Sequence, residues 1–313
     1  MAPQQKIEFR KERDFSSTLG DSLKFLKQNF KPFFGAIILI VGPIILLTSI
    51  TYAYMQSSIL SSTQGKVSPF SGDYFLNLGT TFFLSMLANI LLCAVVYNYM
   101  GLYYEKPFGE QITISEVGKR VWNNIGRLIG SVVTFTILAI VIFFVIALIF
   151  IGLGSFMGIA GAIILGLLAF VGMAILGPVL FYMVPAGFFV VVRDEVFIFT
   201  ALGKVKHYLS GNFWWTWLIM VVAFIGLGIL QTIFNLPATV MVIMSTFSRL
   251  REVSEGVDTQ ATSSIWLIVF YTLGMFLSTC TYSISHLICA FNFMSHEEKH
   301  EGQGLLSRID EIK

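Results

Sequence analysis

Charge is scarce in this sequence. Asp, Glu, Lys and Arg make up 12% of its residues, against 56% hydrophobic ones. A soluble domain carries roughly twice that charged fraction, so the excess apolar surface needs lipid. Cysteine is nearly absent. Cys93, Cys280 and Cys289 all lie inside apolar runs, where they behave as small apolar side chains, and no pair has the spacing of a loop disulfide or a zinc ribbon. A surplus of one charge sign is missing too, since the formal net charge is only +2. Its basic residues are spread over several segments, which leaves no basic stripe for nucleic acid. No Asp, Glu, Lys or Arg falls in the middle of a long apolar run, which argues against ion-coupled pumping.

What remains is apolar sequence in long blocks. A bilayer core takes about 20 apolar residues per helical span, and uncharged runs cover 32–65, 74–104, 128–192, 209–248 and 259–295. The third run holds two spans. Helices are therefore predicted at 33–55, 75–103, 128–151, 158–191, 213–235 and 265–294, which makes an all-α integral membrane fold of six transmembrane helices. The polar segment before the first run carries Lys6, Arg10, Lys11, Arg13, Lys24, Lys27 and Lys31, unlike a cleavable signal peptide. Lys and Arg also set the orientation. Seventeen of the twenty fall in 1–32, 105–127, 193–212 and the segment after 294, and only Lys66, Arg249 and Arg251 fall on the other side. The positive-inside rule then places both termini in the cytoplasm and 56–74, 152–157 and 236–264 outside.

Three segments on the basic side align without gaps. Leu19-Gly20-Asp21-Ser22-Leu23-Lys24 matches Val117-Gly118-Lys119-Arg120-Val121-Trp122 and Leu202-Gly203-Lys204-Val205-Lys206-His207, each followed by two spans. The chain then reads as a single membrane domain of three repeats, 15–104, 113–192 and 198–294, with a polar cytoplasmic tail at 295–313. Phe15, Leu19, Leu23, Leu26 and Phe30 recur at helical spacing opposite charged residues, the pattern of an amphipathic helix lying in the membrane interface. Val117, Val121, Ile125 and Leu128, behind a capping box at Thr113 and Glu116, repeat it. So do Ile198, Leu202, Val205 and Leu209. The polar sides carry Lys24, Lys27 and Lys31, then Lys119, Arg120 and Arg127, then Lys204 and Lys206. These are candidate contacts for anionic lipid headgroups or a partner protein, each nearby cation contributing about 1 kcal/mol at an anionic surface. The alternative is that they serve orientation alone.

Pro185, Asp194-Glu195, Ala201-Leu202-Gly203-Lys204 and Gly211-Asn212-Phe213-Trp214 resemble the stretch leading into the fifth span of a known family. It is the six-helix membrane domain fused to some bacterial glycerophosphodiester phosphodiesterases, with stand-alone relatives of unassigned function. The resemblance implies a membrane accessory domain in a bacterial inner membrane. No acidic, histidine-bearing globular segment stands outside the spans, so the phosphodiesterase activity is not expected to carry over, and no cofactor is expected.

His296-Glu297-Glu298-Lys299-His300 fits the H-E-x-x-H pattern, which sets two histidines on one helix face for zinc. It lies in the charged tail, where a solvated surface is the simpler reading and His296 and His300 are only weak metal candidates. Gly154, Gly158, Ala162 and Gly166 have the four-residue spacing that lets helices approach closely in lipid. Polar residues also enter the spans: Asn77 and Asn89 in the second, Gln231 and Asn235 in the fifth, Ser278, Tyr282, Ser285 and His286 in the sixth. They either hydrogen-bond between helices or line a cavity. Three functions follow. The first is a non-enzymatic protein organising lipids or membrane protein partners at the cytoplasmic leaflet; the second is a facilitative channel or carrier for a small polar or lipid-like solute. A zinc-dependent membrane hydrolase using His296 and His300 is the third.

Overall fold

The computed structural model describes residues 6–62, 72–107, 109–255 and 261–302. Among these residues all regular structure is helical. Six stretches are long and apolar enough to cross a bilayer, the make-up of a multi-pass membrane protein: Phe15–Gln56, Tyr74–Glu105, Ile114–Gly152, Ile163–Arg193, Phe213–Met244 and Ile265–Glu301.

Helix α1 (Phe15–Ala36) starts where the Asp14 carboxylate accepts a hydrogen bond from the Ser17 amide at 2.8 Å, satisfying one of the free donors of the first turn. Pro32 lies inside it and cannot donate to the carbonyl four residues back. Five residues later the backbone widens into a π-helical turn, Ile37–Val41, and continues as α2 (Gly42–Ser62). The amphipathic segment around Gly20 therefore runs straight into the first span. Where the sequence predicts a separate interfacial helix, the structure has one long helix with a widened turn, because residues 33–36 carry no charge and stay in helical register through Gly35.

Helix α3 spans Gly72–Glu105, and α4 spans Ile114–Arg193. A straight helix would hold Arg127 and Glu195 about 100 Å apart, yet their side chains meet at 3.2 Å. The two arms of α4 therefore fold back on each other, and the reversal occurs at Gly158, whose φ of 63° and ψ of −165° suit only glycine. The residues read as an external turn, 152–157, are helical, so the corner is this one residue. Nor does the glycine spacing mark a packed seam at Gly166, where an added Cβ would meet nothing within 4 Å. As in α1, the segment around Gly118 is the first part of a long helix; only the segment around Gly203 forms a helix of its own, α5 (Ile198–Leu209).

Helix α6 is Phe213–Glu255 and α7 is Ala261–Glu301. Residues 236–255, read as an external loop, belong to α6, because the chain stays apolar and helix-forming past Pro237. The segments 63–71 and 256–260, read as external from the sequence, lie outside the described residues. Helix α7 packs against every other helix, and the core gathers around it from Phe25, Phe33, Tyr99, Met100, Phe291 and Phe293, all fully buried. The paired arms of α4 stand apart. None of the most apolar stretch of the first arm is buried, and only 11% of that of the second.

Residues 6–14 form a strap across the charged end of the bundle. Arg13 is 2% exposed and donates to Asp21 at 2.8 Å and to the carbonyls of Phe9 and Lys11 at 3.1 Å, with its guanidinium 5.0 Å above the Phe291 ring. Burial pushes the Arg13 pKa down, and Asp21 offsets part of that. The Ser295 hydroxyl accepts from the Arg13 amide at 2.8 Å and donates back to its carbonyl at 3.2 Å. The end of α7 thus holds the strap by its backbone.

Candidate functional site

Three long helices stop at one level. Helix α3 ends at Glu105, α4 at Arg193 and α7 at Glu301, where the chain leaves its apolar stretches and charge returns. Between these ends lies a cavity of about 540 Å³. Phe9 and Arg10 of the strap close one side of it, and Lys204 and Tyr208 of α5 another.

The charges in its walls are paired across helices. The Arg120 guanidinium grips Glu105 through two hydrogen bonds of 2.5 and 2.7 Å. Gly101 makes room for it, since a Cβ there would lie 3.1 Å from an Arg120 Nη atom. Arg193 reaches Glu297 through two bonds of 2.6 Å and Asp194 through another of 2.6 Å, with its guanidinium carbon 5.4 and 5.3 Å from the ring centres of Phe189 and Phe293. Planar guanidinium forks bind carboxylates in this two-point manner. Lys204 donates to Asp194 at 2.6 Å, and Tyr208 donates to Glu301. Burial pushes the Asp194 carboxyl up, but Arg193 and Lys204 outweigh it and hold the group below the usual carboxylate range. Burial raises Tyr208, and the Glu301 carboxylate raises it further.

Tyr97, Met100 and Met294 form the apolar part of the wall. The Tyr97 hydroxyl donates to the Pro185 carbonyl at 2.8 Å and lies 3.0 Å from His286 Nδ1; the Cys93 sulfur sits 3.5 Å from the other ring nitrogen. A second cavity, about 610 Å³, opens between α1 and the connection from α3 to α4. Lys6, Lys31 and Lys106 line it. Lys6 donates to the Tyr104 and Lys106 carbonyls at 2.9 and 2.7 Å, and Glu110 and then Glu116 raise the Lys106 ammonium pKa.

The basic residues singled out by sequence are divided by this geometry. Arg120 and Lys204 line the first cavity and Lys31 the second. Arg127 pairs with Glu195. Lys24, Lys27, Lys119 and Lys206 are exposed on the helix surfaces. The polar residues of the spans line neither cavity. Asn235 donates to Ser278 at 2.9 Å and to the Gln231 carbonyl, Asn89 donates to the Ser85 carbonyl, and His286 is buried beside Tyr97. Tyr282 faces outward, while Asn77 and Ser285 are half-buried.

The segment read as a tail from 295 is helical as far as Glu301, and Ser295, His296 and Glu298 are buried. Central placement of α7 explains this: residues 286–296 are buried on every side, and the face that carries Phe291 continues to Glu298. His296 Nε2 lies 2.7 Å from the Thr216 hydroxyl, to which Asn292 also donates. His300 is exposed beside His207, their ring centres 5.6 Å apart. Among the described residues no three His, Cys, Asp or Glu side chains are grouped to hold a metal ion.

Sequence reasoning missed Arg10, Arg193 and the cavity's carboxylates. Counting cations hid Glu105 and Asp194, whose partners are basic, and the H-E-x-x-H pattern drew Glu297 into a zinc reading. The available signal was the charge that immediately follows each even-numbered span. Comparison with known protein families, curated proteins and solved structures finds no match to this chain.

Proposed function

We propose that this chain is a non-enzymatic membrane protein that binds and organises lipids, or a membrane protein partner, at the cytoplasmic leaflet. In this reading both termini face the cytoplasm, and the basic segments around Gly20, Gly118 and Gly203 head three related units, each followed by two spans. The family resemblance of residues 185–214 points the same way, to an accessory domain of a bacterial inner membrane.

One observation carries the reading: the charged cavity lies where three apolar helices end, on a chain that also carries exposed lysines next to large exposed apolar side chains. Trp122 is 79% exposed beside Lys119 and Arg120, and Phe30 and Leu23 flank Lys24, Lys27 and Lys31. Aromatic rings next to cations are the usual furniture of a membrane surface. The test replaces Lys24, Lys27, Lys119 and Lys206, none of which lines a cavity, with Gln. Retained anionic lipid, measured by mass spectrometry after purification, should fall. Unchanged retention with unchanged insertion would leave these lysines a topological role only.

A carrier is favoured by the cavity's wall at Tyr97, whose hydroxyl lies 3.0 Å from the buried His286 ring inside the bundle. Flux of small polar solutes into proteoliposomes decides for that reading, and sealed vesicles decide against it.

A further inference from the structure

The walls of the first cavity hold four basic and five acidic side chains. Their arrangement restricts what can enter. Arg120 is closed on Glu105 and Arg193 on Glu297, each by two hydrogen bonds. A simple anion that takes a guanidinium releases its carboxylate with no partner, in a site partly withdrawn from water. A simple cation that takes the carboxylate strands the arginine. Either leaves a charge uncompensated, at a cost that is larger at Glu297, 20% exposed, than at Glu105, 56% exposed. A ligand carrying both charges slips between the two partners: its anion occupies the fork that the carboxylate held, and its cation meets the carboxylate just released.

Arginine forks accept phosphate in the same two-point geometry as carboxylate. A primary ammonium offers three donors to the freed glutamate. The cavity's volume is within the range that encloses small ligands, roughly 300–1,000 Å³. Its position adds an independent constraint. The three helices that wall it end at Glu105, Arg193 and Glu301, so its charges gather where the apolar spans give way to polar sequence, with Met100, Met294 and Tyr97 as apolar lining beside them.

We propose that this cavity binds a zwitterionic group bearing one phosphate and one primary ammonium, inserted between Arg120 and Glu105 or between Arg193 and Glu297. This rests on the reading of the protein as a lipid binder and names the headgroup class. The chemistry has two sources, the headgroup of phosphatidylethanolamine and free phosphoethanolamine.

The full chain is reconstituted in nanodiscs with equal amounts of phosphatidylethanolamine and phosphatidylglycerol, and lipid retained through extraction is measured by mass spectrometry. In parallel, unfolding temperature is followed with free phosphoethanolamine, inorganic phosphate or ethanolamine added. The expected result is preferential retention of phosphatidylethanolamine, reduced about tenfold by Arg120→Gln and by Glu105→Gln. If either variant fails to fold, Gly101→Ala, which presses on the Arg120 guanidinium without removing a charge, serves in its place. Equal lipid retention together with a thermal shift from phosphoethanolamine, and none from phosphate or ethanolamine alone, assigns the site to the soluble form. Preference for phosphatidylglycerol, or equal retention with no shift, overturns the proposal. Either of those results leaves general lipid binding standing, because that is read separately from the four exposed lysines.

Discussion

Arg193 holds Glu297 through two hydrogen bonds of 2.6 Å across 104 residues of sequence, joining the end of α4 to the last turns of α7. Both side chains are less than a third exposed, and the guanidinium carbon stands 5.4 and 5.3 Å from the ring centres of Phe189 and Phe293. Glu297→Gln removes the charge and keeps the shape. A charge-assisted pair of this kind contributes about 1–3 kcal/mol. The unfolding temperature in detergent should fall, and more than it does for Glu195→Gln, whose carboxylate is 66% exposed. Equal shifts for the two would show that the Arg193 pair adds nothing beyond a surface contact.

At Gly274, α7 packs closely on α6. An added Cβ would lie 2.7 Å from Asn235 Oδ1 and 2.9 Å from the Phe234 carbonyl. The asparagine could turn, but the carbonyl belongs to a helix and cannot. Gly274→Ala should therefore destabilise by about 1–3 kcal/mol, the usual cost of overpacking. Gly226→Ala, with nothing near its Cβ, is the control. Thermal unfolding of the two variants side by side checks the contrast, and a Gly274→Ala protein as stable as its control contradicts the close approach.

Asp194 links stability to acidity. Its folded pKa lies below the ordinary carboxylate value, because Arg193 and Lys204 together outweigh the effect of burial. A depressed carboxylate pKa gives stability that is complete above the unfolded value, near 3.8, and is lost as pH falls from there through the folded value. The Asp194→Asn protein should consequently lose less stability than the parent over that acid range, while being less stable at neutral pH. Unfolding temperatures from pH 7 down to pH 3 measure this. Parallel curves would remove Asp194 from the account.

Orientation is open to chemical labelling. With Cys93, Cys280 and Cys289 replaced, single cysteines at Ser62 and at Gly302 should differ toward an impermeant thiol reagent added to intact cells. The first should react and the second only after permeabilisation. The reverse pattern would place the charged cavity on the outer face.

Hydropathy made the number of spans legible, since each uncharged run is long enough for one helix or two. The reversal in the third run was read at 152–157, one residue before Gly158, but its form was not legible. Residues 128–192 are apolar throughout, and a reversal made by one glycine needs no polar turn to announce it. Continuity of α1 with the first span was obscured by Pro32, which looks like a break until the π-helical turn five residues on absorbs it. The amphipathic faces correctly exposed Lys24, Lys119 and Lys206. They could not show that Arg120 faces Glu105, because the pair forms between two helices whose relation depends on packing. His296 illustrates the converse. Its charged neighbours read as solvent-exposed, but burial is decided by the helix face it shares with Phe293 and Cys289, both fully buried.

The lipid-facing arms of α4 carry a consequence for how this protein can vary. Ile137, Val141, Phe144 and Leu148 on one arm, and Ile164, Leu168, Val171 and Ile175 on the other, each present two-fifths or more of their surface outward. Hydrocarbon chains ask such positions only to be apolar, and exchange of one branched or aromatic residue for another leaves no cavity behind. Substitutions can accumulate there without compensation elsewhere, whereas Gly101, Arg120 and Glu105 must change together or stay. Two copies of this protein separated by long descent would therefore diverge fastest in the middle of their sequence, and their kinship would be written in the short charged stretches where the spans come to an end.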